Sequence, residues 1–485
     1  MKKLVLLAAF LALFSLFLRP PTDPDLFWHL RYGEEILKTG QAPQGDQFSF
    51  TLPGYPWANS YWLSEVLIFY LFSKTGFLFP ALFFSFLGAV TFLAVGFWAR
   101  AGKANVWAIS GAAFWGAVVS FPILGFRPQT ISLALLGLVF ILLHQFWLNK
   151  RPKLIFLLPL VFLLWTNLHA GFALGLVLIW LFWGAELGRL LVQKFFKIGR
   201  AITPFLTPAQ LKILLGVNLF SSLISLINPY GAGLWQTILN DATSQTIKNQ
   251  IAEWLAPNLH SEFGLLFFFY LLALGVLSYV TRAKIHPTRL ALLGLFALLA
   301  LGSVRNISIF ALLVAPFLAE ELTGLPWKKI SFPHKRLALV LFLGLFTLAW
   351  LWQYLPQIYK STRSLKNLAE QGNYPYGAVE YLKKHPQERI FSEYGWGGYL
   401  IWQLPESKTF IDGRMPGWKK KDGKEILEDY GKIIDLKKEG PELLESWQIE
   451  TVLLPPDYPL VQYLKIHSDW EKIYEDKTAI IFARR

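Results

Sequence analysis

Thr22-Asp23-Pro24-Asp25-Leu26-Phe27-Trp28-His29 comes directly after the first apolar run of the chain, residues 4–18, and it sets the terms for everything around it. Pro24 suits the first position of a helix, where a missing N–H costs nothing, and Asp23 suits the N-cap before it. On helical spacing Leu26, Leu30, Gly33 and Leu37 form one stripe, while Asp25, His29, Tyr32 and Ile36 form another. The segment is expected to be an amphipathic helix lying on a membrane surface and ending at Gly40. A second interfacial helix is expected over Ser60 to Ser73. Trp28, Trp57, Tyr61 and Trp62 would then supply the aromatic belt found at that depth.

The membrane follows from composition. Of 485 residues, 54% are hydrophobic and 16% charged, against about a quarter charged in an ordinary soluble domain. Such a chain has more apolar surface than one globular core can hide, so lipid is its natural solvent. The absence of cysteine excludes disulfides, thiolate metal sites and cysteine nucleophiles. A formal charge of +14 could point to nucleic acid, but the basic residues sit mostly between apolar runs, where they orient helices. Membrane lipid is the expected partner and nucleic acid is not.

Apolar runs fall near residues 4–18, 77–99, 105–124, 129–148, 154–168, 172–191, 211–228, 262–280, 288–303, 307–319 and 336–354. Several are shorter than the ~20 residues of a typical spanning helix, so charge and turns must support them. One set of connections carries Lys2, Lys3, Arg100, Lys103, Lys150, Arg151, Lys153, Arg189, Lys194, Lys197, Arg200 and Lys212. It continues with Arg282, Lys284, Arg289, Lys328, Lys329, Lys335 and Arg336. The alternate connections have Arg19, Arg31, Lys38, Lys74, Arg127, Lys248 and Arg305, nineteen against seven. The basic set is expected in the cytoplasm. The same logic turns 288–319 into a hairpin at Arg305-Asn306, 154–191 into one at Asn167-Leu168-His169-Ala170-Gly171, and 105–148 into one at Gly125-Phe126-Arg127-Pro128. Lys2-Lys3 with about fifteen apolar residues also describes a signal peptide. The run ends in Arg19-Pro20-Pro21 with no small-x-small site, so an uncleaved first helix is expected.

The expected fold is therefore mainly α: a polytopic protein of about 11 transmembrane helices, with a long first outer loop over residues 20–76. The membrane part covers 1–358 and an extracytoplasmic α/β domain covers 359–485, with the N-terminus cytoplasmic. In that last part charges become dense. Arg389–Ser392, Lys408–Asp412, Thr451–Leu454 and Thr478–Ala483 read as strands, and Glu425–Lys437 and Pro459–His467 as helices. Lys419-Lys420-Lys421 reads as a solvated basic run, Asp412-Gly413-Arg414 as a turn, with contact to an acceptor as the alternative, and Gly395–Gly398 as a place of tight backbone packing.

The Asp23-Pro24-Asp25 motif just outside a first helix, two interfacial helices, many spanning helices and a C-terminal outer domain together resemble the GT-C glycosyltransferase superfamily. That superfamily includes the protein O-mannosyltransferases, the aminoarabinose transferases and the oligosaccharyltransferase catalytic subunits. More narrowly, the chain is similar to a set of bacterial membrane proteins described as GT-C-like. The shared features are the Asp-Pro-Asp-Leu-Phe-Trp-His stretch, Asn167-Leu168-His169, Asn228-Pro229-Tyr230-Gly231, and Gly397-Gly398-Tyr399-Leu400 before Phe410-Ile411-Asp412-Gly413-Arg414. The Trp-Trp-Asp-Tyr-Gly motif of the oligosaccharyltransferases is absent, and Glu393-Tyr394-Gly395-Trp396 only echoes it.

The resemblance implies a sugar donor on a polyprenyl phosphate and an acceptor, whether glycan, lipid or protein, attacked on the outer side of the cell membrane. Such chemistry needs a base, a sugar pocket and cations for the departing phosphate. Asp23 and Asp25 are the candidates for the base, and also the candidate ligands for a divalent cation, Mg or Mn. Arg127 and Arg305, at separate outer turns, are candidates for the phosphate, because each guanidinium fork matches two oxygens. Asn306 beside Arg305, Asn167 and His169 at a third turn, His29 one helical turn after Asp25, and Glu253 and His260 in the loop at 229–260 are the other candidate substrate-binding residues. Each also has a plain structural reading. The aspartates can cap a helix, the arginines can snorkel, the histidines can be structural, and Glu65 can simply lie on the second interfacial helix. A transporter or flippase is the rival reading, though transporters place ionisable groups near the bilayer midplane and the helix middles here are almost free of them. A non-catalytic scaffold with an outer binding domain is the third.

Overall fold

The structure, a computed structural model, describes residues 1–98, 104–196, 205–282, 286–325 and 334–485. Arg100, Lys103, Lys197, Arg200, Lys284, Lys328 and Lys329 of the basic set lie outside the described residues, as does residue 99 at the end of the second apolar run.

The chain is mainly helical with one small sheet. It begins with α1 (Lys2–Phe17), α2 (Leu26–Thr39), α3 (Trp62–Thr75), α4 (Leu78–Trp98) and α5 (Val106–Val119). Then come α6 (Pro128–Trp147), α7 (Leu158–Thr166), α8 (Phe172–Phe196), α9 (Pro208–Ile224), α10 (Ala232–Thr243) and α11 (Gln245–Gln250). The next four are α12 (Glu262–Val280), α13 (Pro287–Gly302), α14 (Ile307–Gly324) and α15 (Lys335–Arg363). The C-terminal stretch carries α16 (Leu365–Gln371), α17 (Tyr376–Lys384), β1 (Arg389–Ser392), α18 (Gly397–Gln403), β2 (Lys408–Thr409) and α19 (Ile426–Ile434). It ends with α20 (Gly440–Ser446), β3 (Thr451–Leu454), α21 (Pro459–Ile466), β4 (Trp470–Glu475) and β5 (Ile480–Arg484).

Each of the eleven apolar runs holds a helix. Among the described residues six are long and apolar enough to cross a bilayer: Leu78–Phe97, Pro128–Trp147, Phe172–Phe195, Glu262–Val280, Val304–Gly324 and Lys335–Arg363. Val106–Val119, Pro152–Thr166, Pro208–Ile224 and Pro287–Gly302 are shorter apolar helices. These are the helices of a membrane protein.

The chain forms two compact units. The first comprises Met1–Arg19, Ala81–Asn228 and Ala252–Pro356; the second comprises Pro20–Pro80, Pro229–Ile251 and Gln357–Arg485.

In the first unit α14 is the central helix, with every residue from Ile307 to Ala319 buried except Ile309, which is half-buried. It packs on α5, whose Ala108, Ala112, Ala113, Gly116 and Ala117 are small enough for close backbone approach. By contrast, Leu272, Val276 and Tyr279 of α12 and Leu345, Leu348 and Trp352 of α15 stand exposed, as expected of lipid-facing positions. The helices break where charge and turn residues said they should: α5 and α6 on either side of Gly125–Arg127, α7 and α8 around Asn167–Gly171, α13 and α14 around Val304–Asn306. A buried polar network ties helices of this unit together. Glu186 of α8, fully buried, accepts from Thr288 Oγ1 at 2.6 Å and Leu206 N at 3.0 Å and faces Arg189 Nε at 3.3 Å. Its acceptors are thus satisfied, and it ties α8 to α13 and to the start of α9.

In the second unit α2 begins two residues later than the sequence suggests. Asp25, not Asp23, is its N-cap residue, and its side chain makes no capping bond. Asp23 instead closes the preceding turn, its Oδ1 accepting from Asp25 N at 2.8 Å. Gly40, in the left-handed region at φ 68°, ends the helix as expected. Both stripes of α2 are buried, with Leu26, Phe27, Trp28, His29, Leu30, Tyr32, Gly33 and Ile36 inside. Leu37 is exposed, which corrects its place on an apolar stripe. The covering surface is protein: α3, α18 and the core around Phe410, Ile411 and Met415.

The sheet has the order β2-β1-β3-β5-β4, with β1 parallel to β2 and β3, and β5 antiparallel to β3 and β4. The long loop between α2 and α3 extends it: Thr409 N donates to Phe48 O at 2.9 Å and Phe50 N to Thr409 O at 3.1 Å. This pairing explains why residues 20–80 belong with the C-terminal sheet. The expected strand 408–412 is cut to Lys408–Thr409, because Asp412 bends the chain by accepting from Arg414 N at 3.0 Å. The expected strand 478–483 starts at Ile480, because Thr478 N and Ala479 N are both held by Asp476 Oδ1 at 2.8 Å. β4 escapes a sequence reading because it is an edge strand, exposed along Glu471 and Lys472. Tight packing at 395–398 is evident: a Cβ on Gly397 would stand 2.6 Å from Asp412 Cβ, and one on Gly398 2.7 Å from Pro24 O.

Candidate functional site

The second unit gathers Asp23, Asp25 and His29 at the start of α2. Trp28 Nε1 donates to Asp25 Oδ1 at 2.9 Å, an i, i+3 pair on the first helical turn. Behind that carboxylate stands Gly413: a Cβ there would overlap Asp25 Oδ1 and come within 3.2 Å of Trp28 Nε1. The glycine of Asp412-Gly413-Arg414 is therefore required for close approach to the aspartate, which revises its reading as a plain turn residue.

Arg414 holds that loop. Its Nε and Nη2 fork onto Asp412 at 2.7 and 2.6 Å, and Nη1 reaches Asp46 Oδ1 at 2.9 Å and Tyr32 Oη at 2.6 Å. The rings of Tyr32, Phe48, Trp57 and Trp418 surround the guanidinium at 5.4–5.7 Å. The side chains of Arg414, Asp412 and Asp46 are wholly buried. The anions around it keep the Arg414 guanidinium charged despite its burial, and burial pushes the Tyr32 phenol well up.

His29 is not open to a substrate on the side facing α3. Its Nδ1 meets Glu65 Oε1 at 3.1 Å, while Glu65 Oε2 accepts from Asn59 Nδ2 at 2.6 Å. Burial raises the Glu65 carboxyl well above the ordinary range, while hydrogen bonding from Asn59 and the charge of Arg414 pull the other way. Glu65 is thus far more than a bystander on an interfacial helix. It lies thirty-six residues from His29, a separation at which sequence offers no pairing signal. Asn59 and Asp46 were missed in the same way, while Trp28 was read as an interfacial aromatic and Arg414 as part of a turn, although Asp25 and Trp28 at i, i+3 carried a local hint.

The first unit gathers the arginines. Arg127, extended before Pro128 at the N-cap of α6, places Nη1 2.5 Å from Glu253 Oε1. Arg305, in the turn before α14, lies over the Trp254 ring at 4.7 Å. The turn Ala252–Trp254 is pinned to the turn Val304–Asn306: Ser303 Oγ donates to Glu253 O and Val304 N to Leu255 O, each at 2.9 Å. Burial would raise the Glu253 carboxyl, but Arg127 and Arg305 outweigh it and hold it below the usual carboxylate range. Two guanidiniums therefore act on one carboxylate.

His169 joins this neighbourhood as a neutral group. Burial, reinforced by the charge of Arg305, pushes its imidazole down to about 3, and its Nδ1 accepts from Gly171 N at 2.8 Å. It is no cation for a phosphate. Asn167 Nδ2 donates to Leu163 O and Ile227 O, at 2.8 and 2.9 Å, which ties the end of α7 to the end of α9. Asn306 Nδ2 donates to Leu299 O at 3.2 Å across the α13–α14 turn. His260 is exposed in the turn leading to α12, its N–H bonded to the Asn258 side chain.

No group of three or more His, Cys, Asp or Glu side chains suited to a metal ion occurs among the described residues. A divalent ion at Asp23 and Asp25 would hence have two protein carboxylates at most, which suits Mg, an ion that keeps waters and takes substrate phosphate oxygens as ligands.

No family model matches the chain, and no curated protein matches it. Among solved structures it is similar to the oligosaccharyltransferase of Archaeoglobus fulgidus. The apo form has 15% identity and a TM-score of 0.54 over 93% of this chain and 69% of that one. The complex with an inhibitory peptide and a dolichol-phosphate has 14% identity and a TM-score of 0.53 over 100% and 74%. The complex with Zn and sulfate has 17% identity and a TM-score of 0.50 over 93% and 68%. At such identity the likeness is one of fold. The chain has the GT-C fold, as the motif after its first helix implied. Within that fold it is similar to an archaeal oligosaccharyltransferase.

Proposed function

We propose that the protein is a membrane glycosyltransferase that moves a sugar from a polyprenyl-phosphate donor to an acceptor, be it glycan, lipid or protein, on the outer side of the cell membrane. The observation that carries this reading is the pair of arginines, Arg127 and Arg305, set around Glu253 at helix-end turns of a GT-C fold. Helix N-termini at α6 and α14 add their partial positive charge to the same turns. Supporting it is the likeness to an oligosaccharyltransferase whose complex contains a dolichol-phosphate.

In this reading Asp25 or Asp23 takes the proton of the acceptor as its heteroatom bonds to the anomeric carbon. The bond from that carbon to the phosphate oxygen breaks, and the electron pair stays on the polyprenyl phosphate. Arg127 and Arg305 stabilise that developing charge. Trp28 and Gly413 orient the Asp25 carboxylate, and Arg414 holds Gly413 in place. A Mg or Mn ion bound by Asp23 and Asp25 would supply Lewis-acid stabilisation of the leaving phosphate. Glu253, His29, Asn167, His169, His260 and Asn306 are assigned to the surroundings of the substrate. Eleven spans, a cytoplasmic N-terminus and an outer C-terminal domain are the topology supported by the nineteen-to-seven distribution of basic residues.

The test is release of polyprenyl phosphate from a panel of lipid-linked sugars by purified protein, with Asp25→Asn and a chelator alongside. Loss of a general base lowers turnover by roughly 10²–10⁴-fold. Turnover unchanged in Asp25→Asn removes that aspartate from the chemistry, and turnover unchanged by chelation removes the metal.

A further inference from the structure

We infer that Glu253 occupies the seat of the donor phosphate in the resting protein and returns to it to expel the spent carrier. This rests on the reading of Arg127 and Arg305 as the phosphate clamp, and it assigns Glu253 a part in turnover.

The backbones of all three residues are fixed. Arg127 N donates to Gly125 O, and its carbonyl accepts from Thr130 N, both at 3.0 Å. Arg305 lies in a turn whose Val304 N is bonded to Leu255 O at 2.9 Å, and the Glu253 carbonyl is held by Ser303 Oγ at 2.9 Å. What can change without moving a loop is the Glu253 side chain, which is about one-third exposed. When it swings away, Arg305 keeps its plane, because the guanidinium rests on the Trp254 ring. Arg127 then presents to an incoming anion the edge that faced Glu253, at the N-terminus of α6.

Charge explains why such an exchange is useful. A sugar-linked polyprenyl phosphate is a diester with one negative charge. The product is a monoester, which carries about −1.5 to −2 at pH 7. Two arginines therefore hold the product more firmly than the donor, and a clamp built of arginines alone would be slow to release it. A carboxylate tethered beside the fork competes at high effective concentration. It offers the same two-oxygen edge, and so lets the donor in and drives the more highly charged product out.

The experiment measures affinity and dissociation rate of a short-chain polyprenyl monophosphate on the full-length protein, with Glu253→Gln, Glu253→Asp and Arg127→Ala beside the wild type. Glutamine keeps the shape and removes the charge; aspartate keeps the charge but is one methylene too short for the contact. Both are expected to bind the probe about ten-fold more tightly or better, with slower release and stronger product inhibition, while Arg127→Ala binds it less well. Equal or weaker binding in both Glu253 variants, with Arg127→Ala weakened, makes Glu253 a mere support for Arg127 and overturns the inference while the clamp stands. Wild-type binding in Arg127→Ala overturns the clamp itself.

Discussion

Replacing Arg414 with alanine removes the cation at the heart of the second unit, and the structure says which partner suffers. Asp46 keeps three donors without it: Ser49 Oγ at 2.5 Å, Ser49 N at 2.9 Å and Phe48 N at 3.1 Å. Asp412 loses both arms of the fork and, among the described residues, retains the backbone N–H of residue 414 at 3.0 Å. A wholly buried carboxylate stripped of its partner costs about 3–5 kcal/mol. The cost should therefore fall on the Asp412 side, and adding Asp412→Asn to Arg414→Ala should return roughly 1–3 kcal/mol by removing the stranded charge. The assay is hydrogen exchange on the detergent-solubilised full chain, read over residues 46–52 and 408–418, which are paired through Thr409 and Phe48. Both stretches should lose protection in Arg414→Ala and regain part of it in the double variant. A loss under about 1 kcal/mol, or a double variant less protected than the single one, would refute the reasoning.

Arg305→Ala is expected to weaken binding of a polyprenyl-phosphate donor by roughly ten-fold or more, with helix content unchanged by circular dichroism; wild-type affinity removes Arg305 from the clamp. Glu65 carries a pH signature. Its carboxyl is raised in the folded state by burial, so the folded protein binds the extra proton, and stability falls as pH rises from the unfolded value of about 4.3 towards the raised folded one. Glu65→Gln should flatten that slope in a melting-temperature series against pH, and an unchanged slope places the titration elsewhere. A reporter fused after Arg485 should be active only outside the cytoplasm, and activity inside overturns the proposed topology.

Much of the fold was legible because lipid imposes a simple rule: each apolar run must satisfy its own backbone, and helices do so within the segment. Runs as short as 307–319 were recoverable because Arg305-Asn306 and the basic residues beyond mark both ends. The motif after the first helix was legible because two aspartates around a proline are a local signal. Arg127 and Arg305 stood out as isolated cations at turns of the set that carries few others.

The rest depended on contacts between distant stretches. Lys408–Asp412 reads as a full strand until Arg414 folds back on Asp412. Phe48–Phe50 carries no hint that it will pair with Thr409, some 360 residues away, because backbone hydrogen bonding is indifferent to which side chains surround it. Glu65 reads as a surface acid until α3 packs its carboxyl between His29 and Asn59. Local patterns of apolar and charged residues, set by solvent, were enough to place the apolar helices, the turns between them and the class of fold. Which carboxylate is buried, which arginine is paired and which glycine backs Asp25 were decided only by tertiary packing, since burial and electrostatic partnership belong to neighbours in space.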